Sequence, residues 1–513
     1  MSQIVNLLYL PLDERPCNSF YPQMIATLRD DIELLVPPQS LLGKKKQPAD
    51  IARVWQWVEE RAISCPIALL SVEMIVYGGL LPSRLHQATE EELGRRINQI
   101  RTLKQQNPHL TIFASNLIMR TPTYNSSEEE PDYYAEYGDR IFTWGWLSDK
   151  QGRDGLSPSE RDRFAEIEGE LPAQYLEDYR DRRRKNLAVN QQVIDLVREG
   201  IISFLAIPQD DSAAYGFTAI DQQQVVRKII ALRLQDRIHL YPGADEVGCT
   251  LLARAYSQFK RKKTKVYLLY SSVCAEQIIP LYEDRPLGES LKSHLLAAGA
   301  ISVPTPEAAD VILAVNTPGK VMQEAWDNPV KDITYTTYRN LRFFVAQIQH
   351  FLTAGKPVAI ADVAFANGGE TELVQLLDDA KLWDNLLAYA GWNTSCNTIG
   401  TVLATAILGV EGKARASLDF NKIYHLLEGW AYQTVVRMEM VENDLPTLGA
   451  SYYDFNGKEA EINREMERKL RQVWGEMMRY SFQQWELECV KVFSPWHRMF
   501  EIGIDLELRR AHR

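Results

Sequence analysis

FLAIPQDDSAAYGF, Phe204–Phe217, is the stretch on which the fold reading turns. Four apolar residues run through Pro208 and Gln209 into two adjacent carboxylates, Asp210 and Asp211, and then into small residues, Tyr215 and Gly216. A short, nearly continuous apolar run of this kind reads as a strand covered on both faces. Eight more runs share the pattern: VNLLYLPLD, IALLSVEM, LTIFASNL, RIHLYPGADE, KVYLLYSS, DVILAVN, VAIADVA and LLAYAGWN. Helical patterns such as ADIARVWQWVEERA and DQQQVVRKIIALRLQD separate them. Strand and helix in alternation specify an α/β fold with parallel strands.

Two architectures fit the count. Nine runs in roughly 400 residues are close to a TIM-like β/α barrel, and nearly every run carries a polar group at its C-terminal end, where a barrel would converge them. The alternative is two doubly wound α/β domains meeting near residue 260. The barrel is the expectation, with a catalytic domain over 1–400 and an insertion over about 117–200. The insertion holds RTPTYNSSEEEPDYYAEYGDRIFTWGWL and reads either as a lid or as a packed subdomain. Residues 401–513 read as a mainly helical C-terminal region ending in a strand or hairpin.

Composition narrows the function classes. The 513 residues hold 57 Lys plus Arg against 68 Asp plus Glu, a net charge of −11. That argues against a nucleic-acid partner. GKKK (Gly43–Lys46) and KRKK (Lys260–Lys263) read as solvated turns or helix ends. Six cysteines without a CxxC pair argue against a disulfide framework or zinc site. No basic leader and no apolar run of about 18 residues is present, which predicts a cytoplasmic protein with no membrane partner. The oligomeric state is not encoded in any feature of the sequence.

The strand ends carry the chemistry. LPLDERPCN places Asp13 and Arg15 in a tight turn, able to orient a polar ligand or to brace each other. SVEMIVYGGLLPSR offers Glu73, with Arg84 as a partner for it or for a ligand. ASNLIMR offers Asn116 and Arg120. In PQDDSAAYG, two adjacent carboxylates repel, so one can keep a proton while its neighbour stays ionised; Tyr215 follows them. YPGADEVG repeats the arrangement one strand later with Asp245 and Glu246. Asn316 and Asp362 end two later strands, and Trp392 with Asn393 suits a sugar ring, an exposed indole taking its apolar face; the opposing reading is a buried Trp. No G-x-G-x-x-G, Walker or G-x-S-x-G signature occurs, and the dispersed histidines disfavour a zinc hydrolase.

Taken together, PLDERPCN, VYGGLLPSR, PQDDSAAYG, PGADEVG, YEDRP and AGWNT resemble a bacterial family known chiefly as a domain of unknown function. Separately, the paired acids look like those of barrel glycosidases that use substrate-assisted catalysis on N-acetylated sugars. That likeness implies one acid protonating the leaving oxygen and its neighbour orienting the acetamido group. The expected function is a glycoside hydrolase. Asp210 and Asp211 are its acid pair, and Asp245 and Glu246 are an alternative pair or ligands to sugar hydroxyls. Asp13, Arg15, Glu73, Asn116, Arg120, Tyr215, Asn316, Asp362, Trp392 and Asn393 are its binding residues. It needs no cofactor and takes a small-molecule or carbohydrate substrate. The alternative is a barrel protein that binds a small molecule or carbohydrate, non-catalytic or dependent on Mg²⁺ or Ca²⁺ held by oxygen ligands.

Overall fold

All nine apolar runs are strands in the computed structural model, which describes residues 4–412 and 415–511. The chain divides into two compact units. The first comprises the residues up to Glu14, Asp31–Leu251 and Tyr282–Asp284; the second comprises Arg15–Asp30, Leu252–Leu281 and the chain from Arg285 onward. The longest continuous piece of the first unit ends at Leu251. Residue 400, the expected boundary, lies within the helix Ser395–Gly409.

The first unit holds β1 (Val5–Leu10), β2 (Ile32–Leu35), β3 (Ile67–Ser71), β4 (Thr111–Ser115), β5 (Phe204–Gln209) and β6 (Ile238–Pro242). They form one sheet in the order β2-β1-β3-β4-β5-β6, every neighbouring pair parallel. All five residues of β3 and all six of β5 are buried, as strands covered on both faces must be. Leu70, Ile112, Leu205 and Ile207 of the sheet share one core with Trp55, Val58, Ile97 and Val193 of its helices.

The second unit holds β7 (Lys265–Tyr270), β8 (Ile301–Ser302), β9 (Val311–Asn316), β10 (Gln323–Glu324), β11 (Val358–Asp362), β12 (Phe365–Ala366), β13 (Ala388–Ala390), β14 (Trp485–Phe493) and β15 (Gly503–Arg510). Its main sheet runs β8-β7-β9-β11-β13, again all parallel. After the helix Ser395–Gly409 come the helix Arg415–His425, π-helical turns over Leu426–Val436, and the helix Glu459–Met477. The antiparallel hairpin β14–β15 closes the chain. Arg471 of the last helix donates to the carbonyls of Leu487 and Glu488, and Glu467 accepts from Val492 N at 2.9 Å, so helix side chains occupy backbone groups of β14.

The barrel expectation fails on strand order. A barrel has no ends, whereas among the described residues β2 and β6 bound one sheet and β8 and β13 the other. In each sheet the second strand lies on one side of the first, and the third lies on the other. This reversal, between β1 and β3 and between β7 and β9, is the switch point of a doubly wound sheet, outside whose strand C-termini ligands bind.

The insertion after β4 contains the helices Tyr134–Arg153, Pro158–Glu170 and Ala173–Arg198. They bury a core of their own from Tyr134, Ile141, Leu147, Ile167 and Tyr179, with Phe217 added from the helix after β5. Phe217 stacks on Trp144 at 5.8 Å and meets Tyr179 edge-on at 5.6 Å. Gly145 makes this fit: a Cβ there would stand 2.5 Å from the Phe217 ring. Gly145→Ala is therefore expected to destabilise the protein by about 1–3 kcal/mol through overpacking, read as a fall in the urea midpoint at unchanged slope.

Candidate functional site

The ends of β3, β4 and β5 in the first unit gather the largest set of the expected residues. Ser71, the last residue of β3, caps the helix Val72–Tyr77 by accepting from Met74 N at 3.4 Å. The cap puts Glu73 in the first turn, 1% exposed, where its carboxylate accepts from Asn116 Nδ2 at 2.7 Å and Leu117 N at 2.9 Å. Asn116 is held in turn by Asn190 at 2.7 Å. Burial lifts the Glu73 carboxyl to about 7 against these hydrogen bonds. Glu73 and Asn116 thus brace the ends of two adjacent strands.

Gly78 ends the helix in a left-handed conformation, φ 89°, with Pro48 and Ala49 too close for any side chain. The chain turns there into the helix Leu80–Leu85, which delivers Arg84. Arg84 does not pair with Glu73. Its Nη1 meets Glu129 at 3.0 Å and Glu130 at 3.2 Å, and its Nη2 meets Asp210 at 2.5 Å. Arg120 is its counterpart: Nη2 meets Glu129 at 2.8 Å, Nε meets Glu130 at 3.0 Å, and Nη1 meets Asp211 at 3.1 Å. Two buried guanidiniums therefore hold four carboxylates, and the neighbouring aspartates face different arginines.

The two aspartates are not equivalent. Asp210 has a side chain 16% exposed, Asp211 one 31% exposed. Asp211 sits at φ 44°, a left-handed conformation that Asp tolerates better than most residues. Burial raises its carboxyl to about 6, Arg120 works against that, and Asp210 adds to it. The loop is fixed at both ends: Gln209 Nε2 donates to Asp284 at 3.2 Å, and Gly216 N donates to Asp149 at 3.1 Å. Tyr215 donates its hydroxyl to Asp154, packs edge-on against Trp146 at 5.1 Å and lies under the Arg153 guanidinium at 4.5 Å. A groove of about 560 Å³ borders this loop, lined among others by Arg153, Ala213, Ala214, Gln222 and Asp284.

β6 lies beside β5, with Gln209 opposite Pro242, so Asp245 and Glu246 follow the adjacent strand end. Both are buried, and Thr250 donates its hydroxyl to Glu246. Burial first, and Asp245 second, raise Glu246 to about 8. Asp13, just past β1, is 2% exposed.

The other expected residues belong to the second unit. Arg15 meets Glu501 at 3.3 Å and lies over the Trp496 ring at 4.4 Å. Asn316 Nδ2 donates to Asp362 at 2.8 Å and to Glu370 at 2.9 Å. Arg339 and Lys331 both pair with Glu370, and Tyr389 donates to Asp362 at 3.1 Å. Burial, with Glu370 adding to it, raises Asp362 to about 6. Trp392 is not exposed as a stacking surface: it is 5% exposed, its indole N–H donates to Thr401 at 3.3 Å, and Tyr21 packs edge-on against it at 5.3 Å. Asn393, at φ 50°, accepts from Thr394 N at 2.9 Å.

Sequence reasoning left out Glu129, Glu130, Arg339 and Glu370. The first two stand in SSEEEP, a run that reads as a solvated loop until the two arginines are placed beside it. Among the described residues, no group of three or more His, Cys, Asp and Glu side chains is arranged to hold a metal ion, and no helix is long and apolar enough to cross a membrane.

Removing one arginine tests the cluster. Arg120→Ala leaves Glu129, Glu130 and Asp211 short of a counter-charge in a buried setting, at a cost of about 3–5 kcal/mol near pH 7. The stranded carboxyls then have folded-state pKa values raised above the unfolded ones. The native state takes up protons first on acidification, so the deficit shrinks as pH falls from 8 to 5. Urea unfolding of wild type and variant at both pH values checks this.

No curated protein matches the chain at a significant level. A family model described as "Protein of unknown function (DUF4127)" matches residues 7–505, nearly the whole chain, and the protein belongs to that family.

Proposed function

We propose that the first unit carries the acid–base site of a glycoside hydrolase, with Asp211 as the proton donor. The observation that carries this reading is the placement of that one carboxyl. It is part-exposed at the end of a parallel strand and keeps its proton to about 6, next to a second carboxylate. A general acid works best with a pKa near the operating pH. Asp210 is oriented by Arg84 through one oxygen. On an N-acetylated sugar it orients the acetamido group, while Asp211 protonates the leaving oxygen. Gln222 and Asp284 line the adjoining groove with groups that hydrogen-bond hydroxyls. The carbohydrate-binding alternative without catalysis uses the same groove. For the Mg²⁺- or Ca²⁺-dependent alternative, no group of three or more His, Cys, Asp and Glu side chains among the described residues is arranged to hold the ion.

Turnover of a panel of 4-nitrophenyl glycosides tests the assignment. Asp211→Asn is expected to lower kcat by about 10²–10⁴-fold with the fold intact by circular dichroism. The protonated form is the active one, so wild-type kcat/KM falls as pH rises through about 6. Asp210→Asn removes a charge that raises Asp211, and the limb of its residual activity moves to lower pH. Wild-type turnover in Asp211→Asn sinks the assignment.

A further inference from the structure

The helix Phe217–Ala231 follows the acidic loop of the first unit and carries two cations, Arg227 and Lys228. Lys228 meets Asp195 at 2.8 Å. Arg227 is exposed and meets no carboxylate among the described residues; its Nη2 donates to Gln223 Oε1, one turn back, at 3.4 Å. Two grooves share this arginine. One is the groove beside the Asp210–Asp211 loop, about 560 Å³, which takes Ala219, Gln222, Gln223 and Val226 from the helix. Those positions follow the spacing of one helix face. The other, about 460 Å³, takes Gln224 from the same helix, and Arg184 and Gln191 from the helix Ala173–Arg198. Arg227 lines both.

The lining selects a class of ligand. Small-molecule sites of this size are mostly apolar. Here the side-chain amides of Gln191, Gln222 and Gln224 make no hydrogen bond among the described residues. Each amide can both donate and accept, which suits hydroxyl groups. Three guanidiniums border the two grooves. Arg153 meets Asp149 at 2.9 Å and donates to the Ala214 carbonyl at 2.9 Å. Arg184 pairs with Asp181 and Glu90. Arg227, at the join, keeps its fork free of any carboxylate. Among the described residues, Asp284 is the one carboxylate in either lining, and it accepts from Gln209 at 3.2 Å.

We propose that the two grooves form one track for an oligosaccharide bearing an oxyanion, a carboxylate or a sulfate, with Arg227 holding the anion at the join. The planar fork of a guanidinium matches such oxygens in pairs. The amides on either side take the hydroxyls of the neighbouring sugars. This names a substrate class for the acid–base site proposed above, and it rests on that reading for the end of the track at Asp211.

Titration calorimetry on the full chain tests it. The probes are a hyaluronan tetrasaccharide, which alternates carboxylate-bearing and N-acetylated sugars, the neutral N-acetylglucosamine tetramer, and that tetramer sulfated at O6. Wild type and Asp211→Asn are both titrated, the variant so that the probes stay uncleaved. At least one anionic probe is expected to bind about five- to tenfold tighter than the neutral tetramer, an advantage that shrinks as salt rises. Which one gains it separates a carboxylate ligand from a sulfate ligand. Arg227→Gln abolishes the advantage and Arg227→Lys keeps part of it; both replace an exposed side chain with no carboxylate partner, so the fold persists. Gln224→Ala weakens the hyaluronan tetrasaccharide but not the disaccharide, since only the longer probe reaches the second groove. No advantage for either anionic probe in wild type, or an unchanged advantage in Arg227→Gln, overturns the proposal. So does equal binding of the hyaluronan disaccharide and tetrasaccharide. The acid role of Asp211 fails separately: an anionic preference with no turnover of any glycoside sinks that role and keeps the track, and turnover of neutral glycosides with no anionic preference does the reverse.

Discussion

Arg84 and Arg120 share Glu129 and Glu130 between them, and each reaches one member of the Asp210–Asp211 pair. The arrangement joins the helix Leu80–Leu85, the stretch from Arg120 through the acidic loop 126–131, and the end of β5. Buried charges of this kind gain little net stability over an apolar core. What they supply is position, since each guanidinium fork donates to carboxylates in a narrow range of geometries. The left-handed backbone at Asp211 and the hydrogen bonds of Glu73 with Asn116 and Leu117 lie at these same strand ends.

The same charges divide two adjacent aspartates into unequal groups. Both arginines are buried, but the Asp210 side chain is 16% exposed and the Asp211 side chain 31%. A pair set only against itself would share one proton. Here the partners differ, and burial raises the Asp211 carboxyl to about 6 against the pull of Arg120. An acid–base reading of the unit rests on that asymmetry more than on the presence of two acids.

Much of the fold was legible because apolar runs in parallel strands are nearly continuous. The nine runs are nine strands. The architecture was misread through the two strands of the main sheets that have no such run. β2 spells IELL, with a Glu in it and mixed burial, and β8 is two residues long and exposed. These are the strands that sit beyond β1 and β7 and turn each sheet back on itself. Without them the order of the rest is sequential and closes on paper into a barrel. At the site, the acids at strand ends were legible, since their positions follow from the strands. Their arginine partners were legible only in part: Arg84 lies eleven residues from Glu73 but pairs with Glu129 and Glu130 across a loop. Trp392 was misplaced because a tryptophan at a strand end can face the core or solvent, and only the helix behind it, bearing Thr401, decides.

The hairpin at the end of the chain has a different significance. A two-stranded ribbon normally leaves two rows of backbone groups able to recruit a further strand. On β14, Arg471 occupies successive carbonyls and Glu467 occupies an amide. Side chains of one helix stand in for the missing strand and leave a visiting chain fewer places to bond on that edge. The helix Glu459–Met477 thereby acts as a guard against strand-on-strand association, a protection encoded in side chains that composition and hydropathy do not distinguish from ordinary surface charge.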